Sequence, residues 1–337
     1  MFHCSTVPSV SRCVFVLTVT GPEKPEALVA GVDIGGSHFS LALADGSGRF
    51  LARASSLIQG DEGPETILSM VAQAIEERLG EQHASREDLK AIGLAVPGVV
   101  DPETGVVGVA SNLTGWIDVP VAEMLRRRFP VPVLVENDVN LAALGEMWQG
   151  AGRGRRHLLF VAPGTGIGAG VIIDGRLHRG AHHFAGEMGY GCPGAEYLAE
   201  DYGLLGCLEA LASGPGLLKR ARERLGTRLP ADATARDVFE MARAGDADAA
   251  ALSEETATLI GIAVGNAVTV LDPEIVVFGG GLSREGEALL GRVREVVYRM
   301  VPVRPEIVVS ALGDDAQLYG AVRVALEAAG GTMGEDP

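Results

Sequence analysis

The sequence predicts an α/β protein built from two similar lobes around a cleft. Three observations predict it. Runs with strand character alternate with amphipathic helical runs, the pattern of sheets covered by helices. A strand, a glycine turn and a second strand occur over Gly31–Asp45 and again over Arg155–Gly175, which points to an internal duplication. The chain has 337 residues, 47% of them hydrophobic, which favours two cores over one.

The elements follow in order. "ALVAGVDIGG" (Ala27–Gly36) is a buried-strand run that ends in glycines. "SHFSLALAD" alternates polar and apolar residues as a half-buried strand does, "GSG" signals a hairpin turn, and "RFLARASSL" pairs as a third strand. "PETILSMVAQAIEERLG" is an amphipathic helix with Ile67, Met70, Val71, Ala74, Ile75 and Leu79 on its apolar face. "LKAIGLAVPG" is a strand stopped by Pro97-Gly98, "VAEMLRRRF" a helix, "VPVLVEND" a strand and "VNLAALGEMW" the next helix. The second half repeats this grammar with "RRHLLFVAPGTG" and "IGAGVIIDG" as strands around a glycine turn. A long helix "EETATLIGIAVGNAVTVLD", the strands "PEIVVFGGG" and "PEIVVSAL" and a closing helix complete it.

Composition removes several function classes. A net charge of −16 repels nucleic acid. Four cysteines (Cys4, Cys13, Cys192 and Cys207) make no disulfide framework, so a cytoplasmic setting is expected. No apolar run reaches bilayer length. Residues 1–28 are read as a disordered extension or an over-long gene start. A signal peptide fits poorly, because no Lys or Arg precedes Arg12 and the cleavage pattern is weak.

Four stretches carry chemistry. In "GVDIGGS", Gly35 and Gly36 allow the backbone N–H groups to approach a phosphate, and Asp33 is placed to hold Mg²⁺ directly or through water. A plain hairpin explains the same residues. In "PGTGIGAG", the spacing Gly164-x-Gly166-x-x-Ala169 loosely fits a dinucleotide fingerprint, but the following residues are strand-like, which excludes it; Thr165 offers a hydroxyl to a phosphate instead. In "VENDVN", Asp138 is either a helix cap or a general base held rigidly at a strand end, and Asn137 and Asn140 compete for the cap. "FGGG" leaves bare backbone against which an adenosine can lie.

Taken in order, "GVDIGGS", "GLAVPGVVD", "SNLTGW", "ENDVN", "PGTGIGAGVIIDGRL", "GEMGY", "GCLE" and "VVFGGG" resemble the ROK sugar kinases (repressors, open reading frames and kinases) of the actin-like ATPase superfamily. The resemblance covers Gly31 to about Ala325. It implies two ribonuclease-H-like lobes with a hinged cleft, divided as 29–137 and 138–337, with the terminal helix able to return to the first lobe. It implies that Asp33, Gly35, Gly36 and Ser37 form one phosphate loop and Gly164, Thr165 and Gly166 the other. Gly280 and Gly281 would lie beside adenosine. Asn112, Asn137, Asp138, Glu187 and Glu209 would face the sugar, with Tyr190 nearby and Asp138 as the catalytic base.

The activity so implied is ATP- and Mg²⁺-dependent phosphorylation of a hexose, in the manner of a glucokinase, at the 6-hydroxyl of glucose. An N-acetylhexosamine, mannose or fructose kinase is the alternative, as is a non-catalytic sugar-sensing regulator. Against the regulator, only 28 residues precede the first strand and Pro8, Pro22 and Pro25 interrupt them. A homodimer is the expected assembly.

One stretch departs from the family pattern. Members read G-E-x-G-H and then C-x-C-G-x-x-G-C-x-E, and hold structural zinc with the histidine and three cysteines. Here Tyr190 replaces the histidine, Glu200 and Tyr202 replace the C-x-C pair, and only Cys207 remains. One thiolate makes no tetrahedral site, so no structural zinc is expected. A site rescued by Cys192 with His182 or His183 is disfavoured by its spacing. Packing by Tyr197, Leu198, Tyr202, Leu204 and Leu205 is expected in place of the metal, with both cysteines free thiols.

Overall fold

The computed structural model describes residues 27–59, 62–110 and 112–330. The expected extension therefore lies almost wholly outside the described residues, although Leu28 already belongs to the first strand.

Strands β1 (Leu28–Ile34), β2 (His38–Asp45) and β3 (Phe50–Leu57) form an antiparallel meander. Helix α1 (Pro64–Glu81) crosses to β4 (Leu89–Val96), which pairs parallel to β1. Strands β5 (Val99–Asp101), β6 (Val106–Val109) and β7 (Ile117–Val119) form a small separate sheet, which sequence patterning missed because its strands are only three or four residues long. Helix α2 (Val121–Arg126) then leads to β8 (Val133–Asn137), parallel to β4. The first large sheet therefore has the order β3-β2-β1-β4-β8.

Helix α3 (Asp138–Gln149) follows β8 without a loop. Strands β9 (Leu158–Pro163), β10 (Ile167–Ile173) and β11 (Arg176–Leu177) are antiparallel neighbours. A block of helices comes next: α4 (Cys207–Ala212), α5 (Gly214–Leu225), α6 (Ala235–Arg243) and α7 (Ala247–Leu271). Strand β12 (Ile275–Phe278) lies parallel to β9, helix α8 (Glu287–Met300) crosses over, and β13 (Glu306–Val309) lies parallel to β12. The order β11-β10-β9-β12-β13 and its strand senses repeat those of the first sheet.

Period-two alternation decides which face each side chain covers. On β9, Leu159 and Val161 join the core under α4–α8, whereas Leu158 and Phe160 join the core shared with α3. On β1, Leu28, Ala30, Val32 and Ile34 face α1, while Val29 faces the closing helix α9 (Ala316–Ala328). Helix α9 thus covers one face of the first sheet and also packs on α3. Glycines permit that approach: a Cβ on Gly93 would sit 1.9 Å from the Ala321 carbonyl oxygen, and one on Gly320 would sit 1.8 Å from that of Leu141. The helix on residues 64–81 buries Leu68 and Ala72 as well as the expected stripe, while Met70 and Ala74 are half-buried.

Candidate active site

The ends of β1 and β8 bring two carboxylates together. Asp33 is the penultimate residue of β1 and Asp138 the first of α3. Burial, and secondarily the charge of Asp138, push the Asp33 carboxyl up to about 7. Burial likewise raises Asp138, against the pull of the Val139 N–H, which donates to its Oδ1 at 2.9 Å. The cap itself is Asn137: its Oδ1 accepts from Val139 N at 2.9 Å and Asn140 N at 3.2 Å, and its Nδ2 donates to the Gly98 carbonyl at 3.0 Å. Capping by Asn137 leaves the second oxygen of Asp138 available.

Glu187 and Glu209 belong to the same electrostatic group. Glu187 is raised by burial first, then by Glu209 and by Asp138. Glu209, in the first turn of α4, is raised by burial and drawn back by Ile167 N–H, which donates to its Oε2 at 2.8 Å. A Cβ on Gly166 would meet that Oε2 at 2.7 Å, so the second glycine turn lies directly against Glu209. Asn112 lies against the first turn: a Cβ on Gly36 would come 3.0 Å from its carbonyl oxygen.

Each of the two glycine turns is closed by a backbone hydrogen bond of its own. Gly35 N–H donates to the His38 carbonyl at 2.9 Å, and Gly164 N–H to that of Gly166 at 2.8 Å. Ser37 and Thr165 are exposed at the tips. Gly280 has φ 72°, and a Cβ there would lie 2.8 Å from the Pro163 carbonyl, while one on Gly164 would lie 3.3 Å from Gly281 N. Gly214 N–H donates to the Gly164 carbonyl at 2.8 Å, and Ser213 caps α5. Sequence reasoning missed this third glycine segment, whose signal is the Ser-Gly-Pro-Gly run at the start of α5.

A second missed feature stands behind Asp138. Glu136 is buried, and its Oε1 accepts from Asn137 N at 2.9 Å and Asn140 Nδ2 at 3.0 Å. Its Oε2 accepts from Arg179 Nε at 2.6 Å. Arg179 follows β11, so this ion pair ties the last strand of the first sheet to the segment that leads to Glu187. The groove of about 510 Å³ formed by Arg156, Ile173, Asp174, Arg176, Leu177 and His178 lies on the outer hairpin and contains none of the four carboxylates.

The stretch 186–209 differs from expectation in one respect. Leu198 and Leu205 are 72% and 57% exposed, so they do not form the packing expected to replace a metal. Tyr197 does pack on the second core. Tyr190 is exposed, with its ring 5.3 Å from that of Phe184. Cys192 Sγ and Cys207 Sγ are 3.8 Å apart, and Cys192 Sγ donates to the Gly194 carbonyl at 3.0 Å. Among the described residues no three His, Cys, Asp or Glu side chains are grouped to hold a metal ion. Two thiols with Tyr202 beside them do not supply the four donors zinc requires.

Two like mixed sheets, each closed by a glycine turn on the side of the shared carboxylates, are the architecture of the sugar kinases of actin-like ATPase fold. The ROK family model matches residues 29–328. The glucokinase of Halalkalibacterium halodurans is 35% identical over 305 residues, which cover 86% of this chain and 92% of that protein. The crystal structure of a ROK hexokinase from Thermus thermophilus superposes with a TM-score of 0.78 at 33% identity, covering 88% of this chain and 97% of that one. That of a ROK family glucokinase from Streptomyces griseus, in complex with glucose and AMPPNP, gives a TM-score of 0.72 at 31% identity, covering 89% and 100%. The chain belongs to the ROK family.

Proposed function

We propose that this protein transfers the γ-phosphoryl group of ATP to the 6-hydroxyl of glucose, with Asp138 as general base. One observation carries the reading: Asp138 interacts with Asp33 on the side of the glycine turns and with Glu187 on the side of Glu209. On this reading it stands between a phosphate subsite and a sugar subsite. Its position at a strand–helix junction fixes it, and its raised pKa makes it a stronger base than an exposed aspartate.

Phosphoryl transfer needs positioning and charge neutralisation more than covalent chemistry. The N–H groups of Gly35 and Gly164 close their own turns, so phosphate donors fall to the N–H groups of Gly36, Ser37, Thr165 and Gly166 and to the hydroxyls of Ser37 and Thr165. Bare backbone at Gly280 and Gly281 receives the adenosine. Asn112, Glu187 and Glu209 bond the sugar hydroxyls, while Asn137 acts chiefly by shaping the start of α3. Tyr190 borders the sugar, with its ring on Phe184.

Mg²⁺ fits Asp33. Burial disfavours this carboxylate's charge, and no hydrogen bond or cation among the described residues offsets it. When bound, the cation supplies charge neutralisation for the phosphates. We take the cytoplasm as the location, since ATP is the donor; no helix of the described residues is long and apolar enough to cross a membrane. We place the lobe boundary at Asn137–Asp138 and take a homodimer as the assembly.

The test is a coupled ADP-release assay with ATP·Mg²⁺ over a panel of hexoses, including mannose, fructose and the N-acetylhexosamines. Glucose is expected to give the highest kcat/KM. No turnover on any sugar overturns the kinase reading, and a different preferred sugar overturns only the substrate.

A further inference from the structure

In the segment between Glu187 and Glu209, Leu198 and Leu205 are exposed and do not fasten the loop. Its backbone is nonetheless held together at one place. Leu208 N–H donates to the Gly191 carbonyl at 3.0 Å, which joins the neighbours of Cys207 and Cys192. A Cβ on Gly206 would lie 2.7 Å from the Tyr190 Cα and 2.5 Å from the Gly189 carbonyl oxygen, so the two strands of chain touch through backbone. Both cysteines sit at this contact, with their sulfurs 3.8 Å apart. Cys192 is exposed and Cys207 buried.

The geometry points to a thiol–disulfide site: Cys192 and Cys207 are a reversible redox pair whose bond staples the loop between Glu187 and Glu209. A bonded pair needs its sulfurs at roughly 2 Å, which side-chain rotation must supply from the present 3.8 Å. The oxidant is a low-molecular-weight disulfide. The exposed Cys192 thiolate attacks one of its sulfurs and releases one small thiolate. The Cys207 thiolate then attacks the Cys192 sulfur of the mixed disulfide and releases the second. Two protein thiols lose two electrons and two protons, and the small disulfide becomes two thiols.

Burial first, and the adjacent Cys192 second, push the Cys207 thiol up to about 11, so the second step accelerates as pH rises toward that value. The Tyr202 hydroxyl lies beside Cys207 and is pushed up to about 12, by burial first and then by Cys207, so it does not compete as an acid. The closed loop runs from Cys192 to Cys207 and restricts the unfolded chain.

The full chain is equilibrated at pH 8 with oxidised and reduced glutathione in varied ratio, quenched with acid, alkylated and cut after glutamate. Cleavage at Glu196 and Glu200 separates the two cysteines, whereas no Lys or Arg lies between them. The expected result is a Cys192–Cys207 linked peptide pair, lighter by two hydrogens and split by dithiothreitol. The oxidised protein should melt several degrees above the reduced one, and Cys192→Ser should abolish that difference. Alkylation of both thiols at the most oxidising ratio, a glutathione adduct on Cys192 with no cross-link, or stoichiometric zinc held by these sulfurs would each overturn the proposal. The peptide map uses the unaltered protein, so it decides the matter even if the variant fails to fold.

Discussion

The strand ends and the sugar-side loop solve one problem in two ways. Asp33 and Asp138 are held by elements whose backbone cannot move without disturbing a sheet. Asp138 has β8 before it, an Asn137 cap around it and Glu136 behind it. Glu187 and Glu209 flank a stretch of short 3₁₀ turns with leucines in solvent. Glu209 gains rigidity from α4 and the Ile167 N–H. The proposed base, Asp138, therefore sits on the stiffer framework, as catalytic geometry demands.

The largest effect should come from the stiff side. Asp138→Asn is nearly isosteric but is no base, so kcat should fall by about 10³-fold or more while sugar KM changes little. Full activity in this variant would remove the distinction between the two regions. The pH profile sharpens the same point. A base with a raised pKa must lose its proton to work, so kcat/KM should fall as pH drops through a midpoint above the ordinary carboxylate range. A limb near pH 4 would contradict it. Asp33, raised from 3.8 to about 7, binds more protons folded than unfolded between those values. Stability of the metal-free protein should consequently fall as pH rises from about 4 to about 7. Mg²⁺ should raise Tm more at pH 8 than at pH 5, as differential scanning fluorimetry would show.

On the loop side, Glu209→Ala removes the proposed sugar contact and leaves the Ile167 N–H without its acceptor. Sugar KM should rise about 10–100-fold with a smaller loss in kcat, measured by initial rates at saturating ATP. An equal loss in both parameters would place Glu209 with the reacting atoms. Between the regions lies the Arg179–Glu136 tie. Arg179→Ala leaves the Glu136 carboxylate buried with only neutral donors, at a cost of about 2 kcal/mol in denaturant melts. Lysine at this position should recover part of that loss.

The same contrast explains what the sequence made legible. Asp33 and Asp138 were readable because local chemistry marks them: a carboxylate ends an apolar strand, and glycines or a cap follow. The duplicated strand order was readable from two strand–turn–strand runs. Glu136 stood in a quoted motif, yet its partner Arg179 is 43 positions away and only the fold brings them together. Helices α4, α5 and α6 escaped because the first is six residues long and the others lie in charged stretches with no adjacent strand signal; α8 escaped although the strands on either side of it were legible. Leu198 and Leu205 misled because hydrophobicity alone does not say that a short turn will point a side chain outward.

The smallest expected effect tests that last point. If the loop were held by its leucines, Leu198→Ser would cost what a buried leucine costs, about 2–4 kcal/mol. With the side chain 72% exposed, the substitution removes little buried area, and the change should stay within about 0.5 kcal/mol. Matched denaturant melts of the reduced protein make the comparison, because reduction removes any contribution from Cys192 and Cys207. A loss near 2 kcal/mol would restore packing as the fastening of the loop, and the stiffness of the two regions would then differ in degree only.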